Sequence, residues 1–481
     1  MPDDQLVDRL KELALRVVEL TDRLRAFTND DPAVQDLRRA AADAIDRGDY
    51  DAADAALIES DRIDAAAIAE QREALDRRQI SRSRTLSERG DLALTRLDYR
   101  AAAGHFEAAA ALVPERDANR DTRLGYLDRA ADALFRQGQE FGDNAALTEA
   151  EGIWRKNLRA REAAALPVAD TLLLIANCLF RLGERLGPDF LKMAIGMYDQ
   201  ASKHYDHKGF SRGAALVFEF GKGNAWFALA QWESDAEPLQ ASLDAHNKAL
   251  ALARNRDTLI WPEIQNSRGA ALVQLGEREL DTAQLEEALR AFCAAHEEFR
   301  RRRASLKCAR TLQNLGAALA SLGQLEGNLG QIEASRGQLK GAVVACRLAL
   351  KEFRRDRLPL DWAKTQNGLG GALAALGEME AGIRRLRQAE MAFRAALGEL
   401  TCERVPLQWA TIQHNLGGAL LSQAERTRNV GTARAGRDAI AVAHNVQERA
   451  GLTARAAFEQ KQLTRADAMI AELSRSVAHE H

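Results

Sequence analysis

Side chains able to engage a ligand recur along this chain at fixed spacing. Asn177 and Asn224 lie 47 residues apart, and so do Phe180 and Phe227. Phe135 extends the phenylalanine series by one member, and Arg136 and Arg181 follow the first two rings directly. Farther on, Asn266, Gln313, Asn367 and His414 stand 47, 54 and 47 residues apart. A side-chain amide can donate to a peptide carbonyl and accept from a peptide N–H, so these residues suit recognition of an extended backbone. Phenylalanines would supply apolar pockets between the amides, and the two arginines charge-assisted bonds to an acidic segment. A structural role is the competing reading: the rings would pack on a neighbouring helix, and the amides would cap or tie adjacent helices.

Catalytic and cofactor chemistry finds little support. Gly221-Lys222-Gly223-Asn224 lacks the spacing and the following Ser or Thr of a phosphate-binding loop, and it lies inside a helical pattern. His204-Tyr205-Asp206-His207 contains metal-ligating types but has no fourth ligand nearby. No Ser, His and Asp grouping stands out. The expectation is a non-enzymatic protein with no metal and no cofactor.

A repeat positions these residues. A pair ending in Gly or Ala recurs as Gln137-Gly138, Leu182-Gly183, Leu229-Ala230, Leu275-Gly276, Leu322-Gly323, Leu376-Gly377 and Gln423-Ala424. Successive small residues are 45, 47, 46, 47, 54 and 47 apart. A fixed period of this size signals a stacked array. Seven residues before each lies a small anchor: Ala131, Ala176, Gly223, Gly269, Gly316, Gly370 or Gly417. A large apolar residue three positions after the anchor, and Leu or Gln six after it, complete the stripe of an amphipathic helix, helix A. A second stripe follows the pair, as Leu285, Ala288, Phe292, Ala295 after Gly276 and Leu386, Ala389, Phe393, Ala396 after Gly377. That is helix B, and each unit reads as a helical hairpin. The 54-residue step contains Gly327-Asn328-Leu329-Gly330, expected as a loop insertion. Several A helices begin near a proline, at Pro167, Pro262, Pro359 and Pro406, where a first helical turn tolerates it.

Toward the N-terminus, Gly90, Tyr99, Ala102, Phe106, Ala109 and Pro114 resemble the tetratricopeptide (TPR) repeat signature, and Gly48-Asp49-Tyr50 with Ala53 and Leu57 is a weaker copy. The later units resemble a bacterial, long-period variety, near 47 residues instead of the usual 34. The resemblance covers about residues 34–446. It implies an all-α, right-handed solenoid of stacked antiparallel helix pairs, about nine repeats, whose A helices line a concave groove. In that groove the positions one, four and five residues after the anchor, and three before it, would be those of Asn177 and Asn224, of Phe135, Phe180 and Phe227, of Arg136 and Arg181, and of Asn266, Gln313, Asn367 and His414.

The expected organisation is an N-terminal helix and two hairpins joined by a long helix (1–120), seven long repeats (121–446), and a charged capping helix with a tail (447–481). Among 481 residues, 9 prolines and a 5% aromatic share favour helix over strand. The net charge of −3 provides no field to draw nucleic acid or an anionic membrane. Five dispersed cysteines, without a Cys-x-x-Cys pair, suggest a reducing compartment. The opening Met1-Pro2-Asp3-Asp4-Gln5 leads into no apolar run, so no signal peptide is expected, and the chain is read as cytoplasmic. Arg300–Arg303 and Arg354, Arg355 and Arg357 mark one edge where an acidic partner or nucleic acid could dock. The function expected is that of a scaffold binding another protein or a peptide. One alternative is a sensor that binds a peptide or small ligand and switches a partner effector. Self-association stays open at this stage.

Overall fold

The computed structural model describes residues 3–29, 31–206, 212–233, 235–253, 260–403 and 405–479. Its elements are helices, with no strand among the described residues. The N-terminal helices are α1 (Asp3–Ala26), α2 (Pro32–Asp46), α3 (Tyr50–Thr95) and α4 (Tyr99–Leu112). Seven long hairpins follow: α5 (Arg120–Phe141) with α6 (Asn144–Ala163), α7 (Ala169–Leu186) with α8 (Pro188–Asp206), α9 (Arg212–Leu229) with α10 (Glu237–Leu252), α11 (Trp261–Glu279) with α12 (Thr282–Arg301), α13 (Ser305–Asn328) with α14 (Ile332–Glu352), α15 (Pro359–Met379) with α16 (Arg384–Leu397), and α17 (Pro406–Thr427) with α18 (Val430–Arg449). The last helix is α19 (Thr453–His479). Within each unit, consecutive helices pack on one another, giving the stacked helix pairs expected of a TPR-like array.

The 46-residue α3 serves two hairpins, its first turns facing α2 and its last turns facing α4. No proline interrupts it. The chain divides into two compact units, Met1–Asn157 and Leu158–His481, with the boundary inside α6.

Two close approaches recur among the long hairpins of the second unit. The glycine of the Leu-Gly pair takes the first Leu of helix B: a Cβ at Gly183 would lie 2.5 Å from Leu191, and one at Gly377 2.9 Å from Leu386. The small anchor takes the large side chain at the middle of helix B. A Cβ at Gly269 would come within 2.8 Å of the Phe292 ring, and one at Gly370 within 2.6 Å of Phe393. Those rings are 1% exposed. Glycine therefore stands at these sites because the helix axes approach too closely for a methyl group. Gly370→Ala should force the Phe393 ring off its site and cost about 1–3 kcal/mol, as overpacking generally does. An unchanged urea midpoint by circular dichroism would show that the gap can relax.

The 54-residue step differs from expectation. Its added residues are helical: α13 continues through Asn328, and the chain turns only at Leu329–Gln331, with Gly330 at φ 78°. Leu322 and Leu325 are buried with Leu285 of the preceding hairpin, so extending the helix covers apolar surface that a loop would leave wet.

Candidate functional site

Successive A helices of the second unit touch along one face. Gln231 Nε2 donates to Gln274 Oε1 at 2.8 Å, Asn314 Nδ2 to Asn266 Oδ1 at 3.1 Å, and Asn415 Nδ2 to Asn367 Oδ1 at 3.1 Å. Residues of this face line three surface cavities. It is the A-helix face on which the sequence places the candidate ligand residues.

Asn177 and Asn224 are half-buried on this face, each held from behind by helix B of its own hairpin. Tyr198 Oη of α8 donates to Asn177 Oδ1 at 2.6 Å. Tyr198 is 1% exposed, and burial raises its hydroxyl above the ordinary tyrosine range. His246 Nε2 of α10 lies 3.3 Å from Asn224 Oδ1, a bond that requires the ring proton on Nε2. Ser242 Oγ donates to the Gly223 carbonyl at 2.9 Å and sits 3.4 Å from His246 Nδ1. His246 is fully buried, and desolvation drops its pKa to about 3, with Arg268 acting in the same direction. The neutral imidazole is therefore the form in place at pH 7. Each amide carbonyl is thus occupied, and each NH2 group is left as the donor. This corrects the idea that both ends of the amide are offered.

The same position after the anchor is small in the later repeats, as Ala270, Ala317, Gly371 and Gly418. There the large helix-B side chain is Phe292, Cys346, Phe393 or Ile440, which has no strong donor to be met. Amide and polar helix-B residue therefore occur together for a physical reason.

The other amides bind within the stack. Asn266 and Asn367 accept from Asn314 and Asn415 of the next hairpin, as above. His414 Nδ1 lies 2.8 Å from Glu459 Oε2, and its ring is 5.7 Å from Phe458, so it docks α19. Glu459 is 3% exposed. Gln313 is half-buried next to Asn314. For Asn266, Asn367 and His414 the geometry is that of inter-helix ties.

Phe180 and Phe227 are half-buried; Arg181 lies over the Phe180 ring, 5.2 Å from its centroid, and pairs with Glu184 at 2.8 Å. In the first unit, Phe135 packs at 6.0 Å on Trp154, and the exposed Arg136 pairs with Asp132 at 3.1 Å. Both arginines already face carboxylates of their own helices. That weakens the expectation of an acidic ligand segment.

Two features escaped the sequence reading. Eight residues after each anchor runs a row of Glu184, Gln231, Glu277, Gln324, Glu378 and Glu425, whose members line the groove cavities or bond across it. Burial among the A helices raises the Glu277 carboxyl, partly opposed by the Ser321 hydroxyl. The signal was available, since each member directly follows the Leu-Gly pair. The second feature is a pair of arginine ties to main chain. Arg278 donates to the carbonyls of Ala230 (2.6 Å) and Asp235 (2.7 Å), and Arg426 to those of Glu378 (3.1 Å) and Gly382 (2.8 Å). Each guanidinium caps the end of the preceding A helix, where free carbonyls favour a cation.

The arginine edge is largely neutralised from within. Arg301 and Arg302 both donate to Glu298, whose carboxyl they hold down to about 2, Arg301 contributing first. Arg354 pairs with Asp356, and Arg355 with Glu399 while lying 5.2 Å from the Trp362 ring centroid. Lys222 of the glycine-flanked run pairs with Asp199 inside the stack. His207 of the His204–His207 run lies outside the described residues. Among the described residues, no group of three metal-ligating side chains occurs and no helix is long and apolar enough to cross a membrane.

No protein-family model and no curated protein matches the chain. Among solved structures, the apo form of RapI is similar at 14% identity, covering 82% of this chain and 98% of that one, with a TM-score of 0.46. A Rap protein complexed with competence and sporulation factor is 11% identical over 81% and 99%, TM-score 0.41. Aspartyl phosphate phosphatase F from Bacillus subtilis is 14% identical over 82% and 93%, TM-score 0.40. At these identities and TM-scores the similarities carry no functional conclusion.

Proposed function

We propose that the chain is a non-enzymatic scaffold that binds a peptide or a peptide-like segment of another protein along the A-helix face of its second unit, centred on α7 and α9. One observation carries this reading: Asn177 and Asn224 occupy equivalent places in adjacent hairpins, and each is fixed from behind by a buried partner, Tyr198 or His246. Fixing the amides before binding reduces the ordering entropy that association would otherwise cost. Neighbouring packed helices stand about 8–10 Å apart, and an extended chain advances about 3.3 Å per residue. An amide NH2 in each hairpin thus meets every third carbonyl or so, with Phe180 and Phe227 receiving side chains between.

The test is to pan the full chain against a displayed library of random twelve-residue peptides and to measure the enriched sequences by fluorescence anisotropy. Asn177→Ala/Asn224→Ala, checked for unchanged helicity and melting, should bind about tenfold more weakly or worse, since each lost donor strands a peptide carbonyl at about 1–3 kcal/mol. Equal affinity in the folded double variant would remove the site from α7 and α9.

A further inference from the structure

The last A helix and the closing helix stand apart between two pinned points. α19 packs chiefly on α18. It meets α17 where His414 Nδ1 lies 2.8 Å from Glu459 Oε2, and again where Leu421 and Ala424 cluster with Met469 and Leu473. Glu459, Gln462, Ala466, Met469 and Leu473 follow one another by three or four residues and so share a face of α19. His414, Gly418, Leu421 and Glu425 do the same on α17. Between the pinned points stand the small residues Gly418 and Ala466, and a cavity of about 600 Å³ remains. Sites for small molecules run from about 300 to 1,000 Å³.

The charged lining is balanced in sign and divided between the walls. Glu378 and Glu425 come from the A helices α15 and α17, with Arg426 beside them, and Arg465 comes from α19. Arg426 is engaged by the main-chain carbonyls of Glu378 and Gly382, and Ser422 donates to Glu378 at 3.5 Å. Among the described residues, the side chains of Glu425, Gln462 and Arg465 make no hydrogen bond or ion pair, so none joins the glutamate wall to Arg465. A lone cation placed here would face Arg426 and Arg465, and a lone anion Glu378 and Glu425. A neutral molecule would cover charges without pairing them, which is costly. A molecule carrying both signs strands neither. Leu421, Ala466 and Met469 give it an apolar end.

We infer that this cavity binds a small zwitterion of amino-acid type, with its carboxylate on Arg465, its ammonium on Glu425 and an aliphatic side chain against Leu421 and Met469. Such a ligand bridges α17 and α19 where their own side chains do not, and so ties the closing helix to the array. The site is separate from Asn177 and Asn224 and does not depend on the peptide reading.

Isothermal titration of the full chain with leucine and with the dipeptide Leu-Leu tests this, alongside N-acetyl-leucine and leucinamide, which each lack one charge. The tighter of the two zwitterions tells whether the source is a free amino acid or a short peptide. One site should fill below about 10 mM, the range of a weak small-ligand contact. Each blocked form should bind about tenfold more weakly, because it leaves one protein charge unpaired. Arg465→Gln should weaken leucine about tenfold and erase its advantage over leucinamide, but not over N-acetyl-leucine. Glu425→Gln should do the reverse. Both side chains are exposed, and an unchanged circular dichroism spectrum checks the folding of each variant. A Cβ at Gly418 would meet no atom within 4 Å, so Gly418→Leu should fill the cavity, abolish binding and raise the melting temperature, glycine being a poor helix residue. No heat with either zwitterion, equal binding of the blocked forms, or binding that survives Gly418→Leu would overturn the inference. So would loss of leucine binding in Asn177→Ala/Asn224→Ala, which should bind leucine as the parent does.

Discussion

Replacing Phe393 by alanine should cost about 3–5 kcal/mol, as truncation of a buried aromatic ring generally does. The ring is 1% exposed and packs among Leu373, Leu376, Ile412 and Leu416, joining α16 to the A helices on both sides. It also fills the notch left by Gly370, so no neighbour can simply close over the gap. In a stacked array the damage should stay local, because each repeat is supported only by its neighbours. Hydrogen exchange should therefore speed up in α15 to α17 while α7 to α10 keep their protection, and the thermal transition should broaden or split. Phe292→Ala should act likewise two hairpins earlier. A Phe393→Ala protein that melts and exchanges like the parent would refute the packing described for helix B.

Acidification should loosen the fifth repeat through one side chain. An unfolded histidine titrates near 6.5, whereas the buried His246 is held to about 3. The unfolded chain alone gains that proton as the pH falls between the two values, so stability is complete above about 6.5 and declines below it. At roughly 1.4 kcal/mol per pH unit, the loss from this group by pH 4.5 is about 2–3 kcal/mol. His246→Phe, which introduces the side chain that Phe292 and Phe393 provide in equivalent places, should remove that component. The check is the change in urea midpoint between pH 7 and pH 4.5, compared for the parent and the variant, since other groups titrate equally in both. Identical pH slopes would mean that His246 is protonated in the folded chain or solvated.

Much of the architecture was readable from spacing. The recurrence of small anchors and Leu-Gly pairs located every A helix from α5 to α17, and the stripe at Phe292 and Phe393 located the B helices. α3 runs as one helix from the first hairpin into the second. The site was less readable because occupancy of an amide is a tertiary fact. Asn177 and Asn266 look alike in sequence, yet one is fixed by its own hairpin and the other is tied to the next by Asn314. His414 follows the same period as Asn367, but α19 intervenes and claims it through Glu459. Trp232 and Leu407 line one cavity although they are far apart in sequence, a proximity that no repeat period records. The expected loop at Gly327–Gly330 failed because two glycines outweighed the apolar Leu322 and Leu325 that keep the helix going.

The arginine ties of Arg278 and Arg426 bear on how such a chain can change over generations. Each guanidinium binds its neighbour's peptide carbonyls, groups that every amino acid carries. That tie by itself makes no demand on the side chains of the preceding hairpin. Duplication, deletion or exchange of a whole unit by recombination would preserve that link without any compensating mutation. The Asn314–Asn266 and Asn415–Asn367 pairs are different, since each needs a matching residue on both sides. The α15–α17 junction carries both kinds of tie, so its main-chain link would survive an exchange of units while its asparagine pair would need both partners inherited together.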